Sequence, residues 1–298
     1  MQGARSIVSN PELFSISSGN SICTLCPALG GSIVSWAVGE QQMFRQANSS
    51  AVIAGDPLQM ASFPLVPFSN RIGYARFEWE GQQIELTPNF APEPHAIHGT
   101  GWKQAWAIAA HGDNHIVLEF HHQGDARWPW PFIATQDVRV ENGALEMKLS
   151  ATNLANEAAP LAFGHHPYFD QEDASLTFDA ERVFLSGDDA LPTKAIVPSG
   201  SFDFSNASAI DGRNIDNCYA GWDGKAYITW AGRQLAMEIS SDMAAAVVYI
   251  PQGGNAFCFE PVPHINNALN RSGELPAMPT IAPGEHFTTM IRFTAAKT

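Results

Sequence analysis

A large antiparallel β-sandwich is the fold class this sequence predicts, and three observations predict it. Short runs rich in β-branched and aromatic residues recur along the chain with turn residues between them. No long stretch carries an apolar period of 3.6 residues, and strands do not alternate with helical segments as a parallel sheet requires. No internal repeat of about 20 to 50 residues is present, which removes solenoids and propellers. With 298 residues, 45% of them hydrophobic, the chain can bury a large core, and residues 1–298 are expected to form a single domain.

Taken in order, residues 21–25 and 32–38 read as strands joined across Gly30-Gly31. Residues 75–80 alternate Phe77 and Trp79 with Arg76 and Glu78, and Gly81 turns the chain into 83–86. Strands follow at 115–120, 132–140 and 144–152, the last two forming a hairpin across Glu141-Asn142-Gly143. Residues 161–166 read as the end of a strand leading into a Pro-Tyr-Phe turn. Residues 227–230 and 234–240 flank Ala231-Gly232, 245–250 and 257–259 follow, and 287–294 closes the chain. Long loops at 87–102 and 261–283 are rich in Pro, His and Asn, and loops of that length in a compact fold usually carry function.

Charge and cysteine usage narrow the partners. A net charge of −14 opposes nucleic acid and acidic membrane surfaces, both of which are held by Lys and Arg clusters. No apolar run reaches the roughly 20 residues of a membrane span, and the start MQGARSIVSNPELF lacks a signal-peptide core, so a cytoplasmic protein is expected. Cys23, Cys26, Cys218 and Cys258 are too few and scattered for a disulfide framework. Cys23 and Cys26 have C-x-x-C spacing but sit in a strand-like run with no second pair, and read as small apolar side chains.

Two stretches carry the chemistry. In AFGHHPYFD (162–170), alternation puts Leu161, Phe163 and His165 on one face and Ala162, Gly164 and His166 on the other. The small residues are expected to leave room for a ligand beside His166, with His165 in support. In FCFEPVPHINNALN (257–270), Glu260 ends an apolar strand with Phe257 and Phe259 facing away, so its carboxylate is expected to be paired or to face a cleft. A carboxylate is an available base at pH 7, and a His can hold a proton if carboxylates surround it. Asn70 and Arg71 emerge from an apolar run, and His95 and His98 sit in a glycine-bearing loop; each also fits an ordinary structural role. Asp216 in NIDNCYAGWDG equally fits a turn residue bonding nearby amides. No G-x-S-x-G elbow, P-loop or dinucleotide-binding glycine pattern in a βαβ setting is visible.

The ordered series SNRI (69–72), HAIHG (95–99), HHPYF (165–169), DNCY (216–219) and FEPVPH (259–264) resembles the aldose 1-epimerases, or galactose mutarotases, over most of the chain. The resemblance implies a galactose mutarotase-like supersandwich binding a sugar in a cleft. It implies catalysis by His166 and Glu260, with Asn70, Arg71, His98 and Asp216 binding the substrate. Glu260 would take the proton from O1 while His166 protonates O5, opening the ring for reclosure to the other anomer. No cofactor and no metal is implied; the partner is a small-molecule sugar and the chain a monomer or homodimer.

His165 stands where many members have Asn, Asp170 where Asn is common, and HGTGW replaces HGG, which bears on the sugar rather than the reaction. A relative acting on a hexose 6-phosphate or sulfonated sugar would need cations such as Arg71, Arg76 or Arg127 near C6. A non-catalytic sugar-binding sandwich would keep Trp128 and Arg71 but have no reason to keep both His166 and Glu260; RWPWPF (127–132) could supply a Trp platform for a sugar but reads better as a packed turn. A metal site of His95, His98, His166 and Glu260 lacks the rest of a cupin pattern.

Overall fold

A computed structural model describes residues 10–240 and 242–296; most of the amino-terminal run read for a signal peptide lies outside them. The alternation in the sequence is realised as two main antiparallel sheets. In Phe132–Glu141, Phe132, Ala134, Gln136, Val138 and Val140 all point inward, the period of two that a half-buried strand requires. The one polar member, Gln136, is satisfied inside by donating to the Gly31 carbonyl at 2.8 Å.

The larger sheet has nine strands in the order Ala107–His111, His115–His122, Phe132–Glu141, Ala144–Asn153, His286–Ala296, Arg233–Ile239, Lys225–Trp230, Ser175–Thr177 and Ser208–Ala209. The second has six: Tyr168–Asp170, Ala256–Val262, Ala245–Ile250, Ile215–Ala220, Arg182–Ser186 and Pro192–Ile196. A four-stranded sheet from Phe14–Ser18 to Gln41–Gln42 contains the expected Gly30-Gly31 hairpin. The hairpin at Asn142-Gly143 is a two-residue turn with both residues at positive φ, the geometry that follows the right-handed twist of its strands. One buried cluster, including Trp36, Phe44, Phe169, Phe257, Phe259 and Phe293, joins the sheets. The antiparallel sandwich is therefore as expected, with a single α-helix among the described residues, Ser49–Ala54, capped by the Asn48 side chain.

Several elements depart from the sequence reading. Asp216 is not in a turn but in Ile215–Ala220, whose alternation is obscured because Ile215 and four consecutive residues from Asn217 to Ala220 are buried. Glu260 does not end its strand: Ala256–Val262 is buried at all seven positions and continues through Pro261. The segment before His166 is not one strand but a two-residue piece, Gly164–His165, paired with Pro64–Leu65. The space at Gly164 is already taken, since a Cβ there would lie 2.5 Å from the Pro261 carbonyl oxygen. Gly164 thus lets this segment press onto the Glu260 strand rather than leaving room for a ligand. Strands Phe14–Ser18, Ala107–His111, Arg182–Ser186 and Pro192–Ile196 carry no strong alternation and were not expected.

Candidate active site

The six-stranded sheet builds the floor of a cavity of about 450 Å³, within the range of small-molecule sites. Register explains the floor. Tyr168 pairs with Cys258, Cys258 with Tyr249, and Tyr249 with Asp216, so these four stand in one row across four strands and face the same side. Glu260, two residues beyond Cys258, shares that face. Tyr168, Tyr249, Asp216 and Glu260 all line the cavity.

His166 enters from above the floor. Its ring is stacked between Phe63 and Tyr168, with both centroids 4.7 Å away, and meets His98 edge-on at 5.2 Å. This clamp fixes the imidazole without using its nitrogens. Nε2 lies 3.2 Å from Glu260 Oε1, close enough for a proton to pass. His165, one residue earlier, is buried away from the cavity, and neither of its ring nitrogens has a partner.

Two loops form the opposite wall. Asn70 and His98 both have left-handed backbones and clasp each other: the Asn70 N–H donates to His98 Nδ1 at 3.2 Å, and the His98 N–H donates to the Asn70 carbonyl at 3.0 Å. An accepting Nδ1 leaves the neutral ring its proton on Nε2, a donor on a cavity-lining residue. Gly99 follows with φ +69°, and a Cβ there would sit 2.1 Å from the Val66 carbonyl oxygen, which explains the glycine in HAIHG. Asn89 pins the loop by donating to the Ile97 and Gly99 carbonyls at 2.8 and 2.9 Å. Arg71 projects from Arg71–Ile72, which pairs with Ala96–Ile97. Its guanidinium grips Glu93 through two bonds of 2.8 and 3.0 Å and reaches Asp216 at 3.3 Å.

All six residues singled out for the site, Asn70, Arg71, His98, His166, Asp216 and Glu260, therefore line one cavity. The aldose 1-epimerase family model matches residues 12–294. The chain belongs to the aldose 1-epimerase family. The uncharacterized Escherichia coli K12 protein YphB is 28% identical over 256 residues, 79% of this chain and 84% of that one. An aldose 1-epimerase of Haemophilus influenzae is 28% identical over 160 residues, 48% of this chain and 45% of its own. Among solved structures, a galactose mutarotase-like protein from Clostridium acetobutylicum superposes with a TM-score of 0.87 at 19% identity, covering 99% of this chain and 98% of that one. Galactose 1-epimerase from Lactobacillus acidophilus superposes at 0.78 and 14% identity, covering 96% and 98%.

In this family member, burial sets the charge state of the paired groups. It pushes Glu260 well above the usual carboxylate range and His166 down to about 3. Both shifts favour the same resting state, a neutral imidazole beside a carboxylic acid, with one proton shared by the pair. Glu260 stands beside His166, but desolvation by burial is what sets the lowered value of the imidazole. Burial and the neighbouring His166 likewise hold His98 well below its ordinary value.

Several site residues escaped the sequence. Glu93, Arg45, Phe90 and Tyr249 line the cavity, and Phe63 clamps His166. Arg45 stacks over Tyr168 at 3.8 Å and donates to the Leu58 and Met60 carbonyls. Only the partnership of Glu93 with Arg71 could have marked any of these, and nothing local in the sequence pairs residues 22 apart. Trp128 and Trp130 are buried against Phe77, so they are packing and not a platform. His95 is a strut: Nδ1 accepts from the Tyr74 N–H at 2.9 Å and Nε2 donates to the Asp189 carbonyl at 2.9 Å. With both ring nitrogens engaged, His95 is not available to a four-residue cupin-like site. His95→Ala is expected to cost about 1–3 kcal/mol, read as a lower urea midpoint with an unchanged slope.

Proposed function

We propose that this protein is a mutarotase, an isomerase that interconverts the α and β anomers of a free aldose. The observation that carries the reading is His166 Nε2 facing Glu260 Oε1 at 3.2 Å inside a cavity lined by hydrogen-bonding side chains. Moving the shared proton from Glu260 to His166 creates a carboxylate and an imidazolium without changing the charge of the pair. With a sugar bound, the Glu260 carboxylate takes the O1 proton while His166 gives its proton to O5, and the C1–O5 bond breaks. The pair is then left as carboxylic acid and neutral imidazole, the state its burial favours, so desolvation assists ring opening. After rotation about C1–C2, His166 recovers its proton from the C5 hydroxyl as that oxygen attacks C1, and Glu260 returns a proton to O1. Asn70, Arg71, His98 and Asp216 hold the sugar hydroxyls, which is positioning rather than covalent catalysis.

A neutral sugar fits better than a phosphorylated or sulfonated one. The charge of Arg71 is balanced by Glu93 and Asp216, and Arg45 is turned to the Leu58 and Met60 carbonyls and over the Tyr168 ring. Arg127 pairs with Asp125, and neither it nor Arg76 lines the cavity. The burial of Trp128 weakens the non-catalytic sugar-binding alternative, which has no use for a desolvated acid and base.

Four free, buried thiols suit a reducing compartment, so we place the protein in the cytoplasm. The six site residues come from one chain, which a monomer or homodimer supplies equally. The test is polarimetry of freshly dissolved α-anomers across a panel of free and 6-phosphorylated aldoses, before and after chelation. Accelerated equilibration of a neutral aldose that survives chelation is expected. Acceleration confined to 6-phosphorylated sugars, or lost on chelation, would contradict the proposal.

A further inference from the structure

Beside the cavity-lining Glu260 and His166 lies one buried reactive group that ring opening does not use. Cys258 is buried between Tyr168 and Tyr249 in the same row, two residues before Glu260 on the same face of its strand, and is a free thiol. One ligand atom each from His166, Cys258 and Glu260 lies within 4.8 Å of the others. This trio mixes thiol, imidazole and carboxylate, the donor set of zinc rather than of magnesium or calcium. Tetrahedral zinc with bonds of about 2.0–2.3 Å places its ligand atoms about 3.3–3.7 Å apart. The His166–Glu260 edge, at 3.2 Å, is already close to this spacing.

Two further features favour a reversible ion over a structural one. His166 Nδ1 has no hydrogen-bond partner, so the outer support that tightens structural zinc sites is missing. Glu260 Oε2 is likewise buried without a partner and is free to turn toward an ion. His166 and Glu260 line the cavity, which leaves a fourth coordination position open on the side where the sugar binds.

We propose that His166, Cys258 and Glu260 form an inhibitory site for a zinc-type divalent cation, which shuts the enzyme by occupying the two atoms that carry the proton. The inhibition rests on the function proposed above; the binding does not. The test titrates the metal-free full-length protein with Co²⁺, whose bond to a thiolate gives a charge-transfer band in the near ultraviolet, and in parallel follows anomer equilibration with added Zn²⁺. Expected are a one-to-one Co²⁺ end point with that band in the wild type and its loss in Cys258→Ala. Zinc should suppress wild-type activity about a hundredfold or more, reversibly on chelation, and suppress that of Cys258→Ala far less. Should Cys258→Ala not fold, the near-isosteric Cys258→Ser is read instead against Glu260→Gln, which retains the thiol but loses a ligand. A wild type without the cobalt band, or a band that persists without the Cys258 sulfur, overturns the site. Equal zinc sensitivity in wild type and the Cys258 variant overturns the inhibition while leaving a binding result standing.

Discussion

Glu260→Gln is expected to slow anomer interconversion by about 10²- to 10⁴-fold, the usual contribution of a positioned acid or base. Gln keeps the shape of the side chain and can still hydrogen-bond, but it cannot accept and return the O1 proton. His166→Asn should cost a similar factor, because His166 Nε2 is the ring nitrogen that faces Glu260, at 3.2 Å. The two losses should not multiply. One proton serves both residues, so once either is gone the other has no exchange partner, and the double variant should resemble the slower single one. His166→Asn also leaves a gap between Phe63 and Tyr168, so its stability is measured separately from its rate. His165→Asn, by contrast, should leave the rate close to wild type, since His165 packs away from the cavity.

Acid should destabilise the protein steeply. His165 and His166 are held down to about 3 and His264 to about 4 by burial, and His98 is held well below its ordinary value. The same residues in the unfolded chain take up protons near pH 6.5. Between that pH and the depressed folded values the unfolded state binds more protons, so stability falls as pH falls. Glu260 acts with the opposite sign: raised when folded, it holds a proton that the unfolded chain has lost above about pH 4.5. His122 is lowered as well and Asp216 raised, so five histidines against two carboxyls leave a net uptake of about three protons on unfolding near pH 5.5, or about 4 kcal/mol per pH unit. That slope exhausts a typical stability of about 5–15 kcal/mol within a few pH units. Urea midpoints at pH 7, 6 and 5 measure it, and His165→Leu should reduce the slope by about 1.4 kcal/mol per pH unit. Midpoints that do not move between pH 7 and 5 would count against neutral buried histidines.

What the sequence revealed depended on whether a signal was local. Strands with one buried face, such as Phe132–Glu141, were visible through alternation, and turns such as Asn142-Gly143 through the backbone they demand. Strands buried on both faces lose that alternation, so Ile215–Ala220 hid Asp216 in what read as a turn, and Ala256–Val262 seemed to stop at Glu260. His166 rather than His165 lines the cavity, but not for the small-residue face the sequence suggested. The segment is too short to be a regular strand, and Gly164 serves close packing against Pro261. The aromatic clamp of Phe63, the grip of Glu93 on Arg71 and the Asn70–His98 clasp join residues distant in sequence. Only the folded register brings them together.

If His166 and Glu260 pass one proton between O1 and O5 of a bound aldose, removing either must stop catalysed anomer exchange. Saturation-transfer NMR tests it most directly: one anomeric proton of an equilibrated aldose is irradiated, and the loss of signal at the other anomer gives the exchange rate at equilibrium. Rapid exchange is expected with the wild-type protein, and exchange near the uncatalysed rate with Glu260→Gln, His166→Asn and the double variant, all confirmed folded. Exchange at the wild-type rate in either single variant would contradict it.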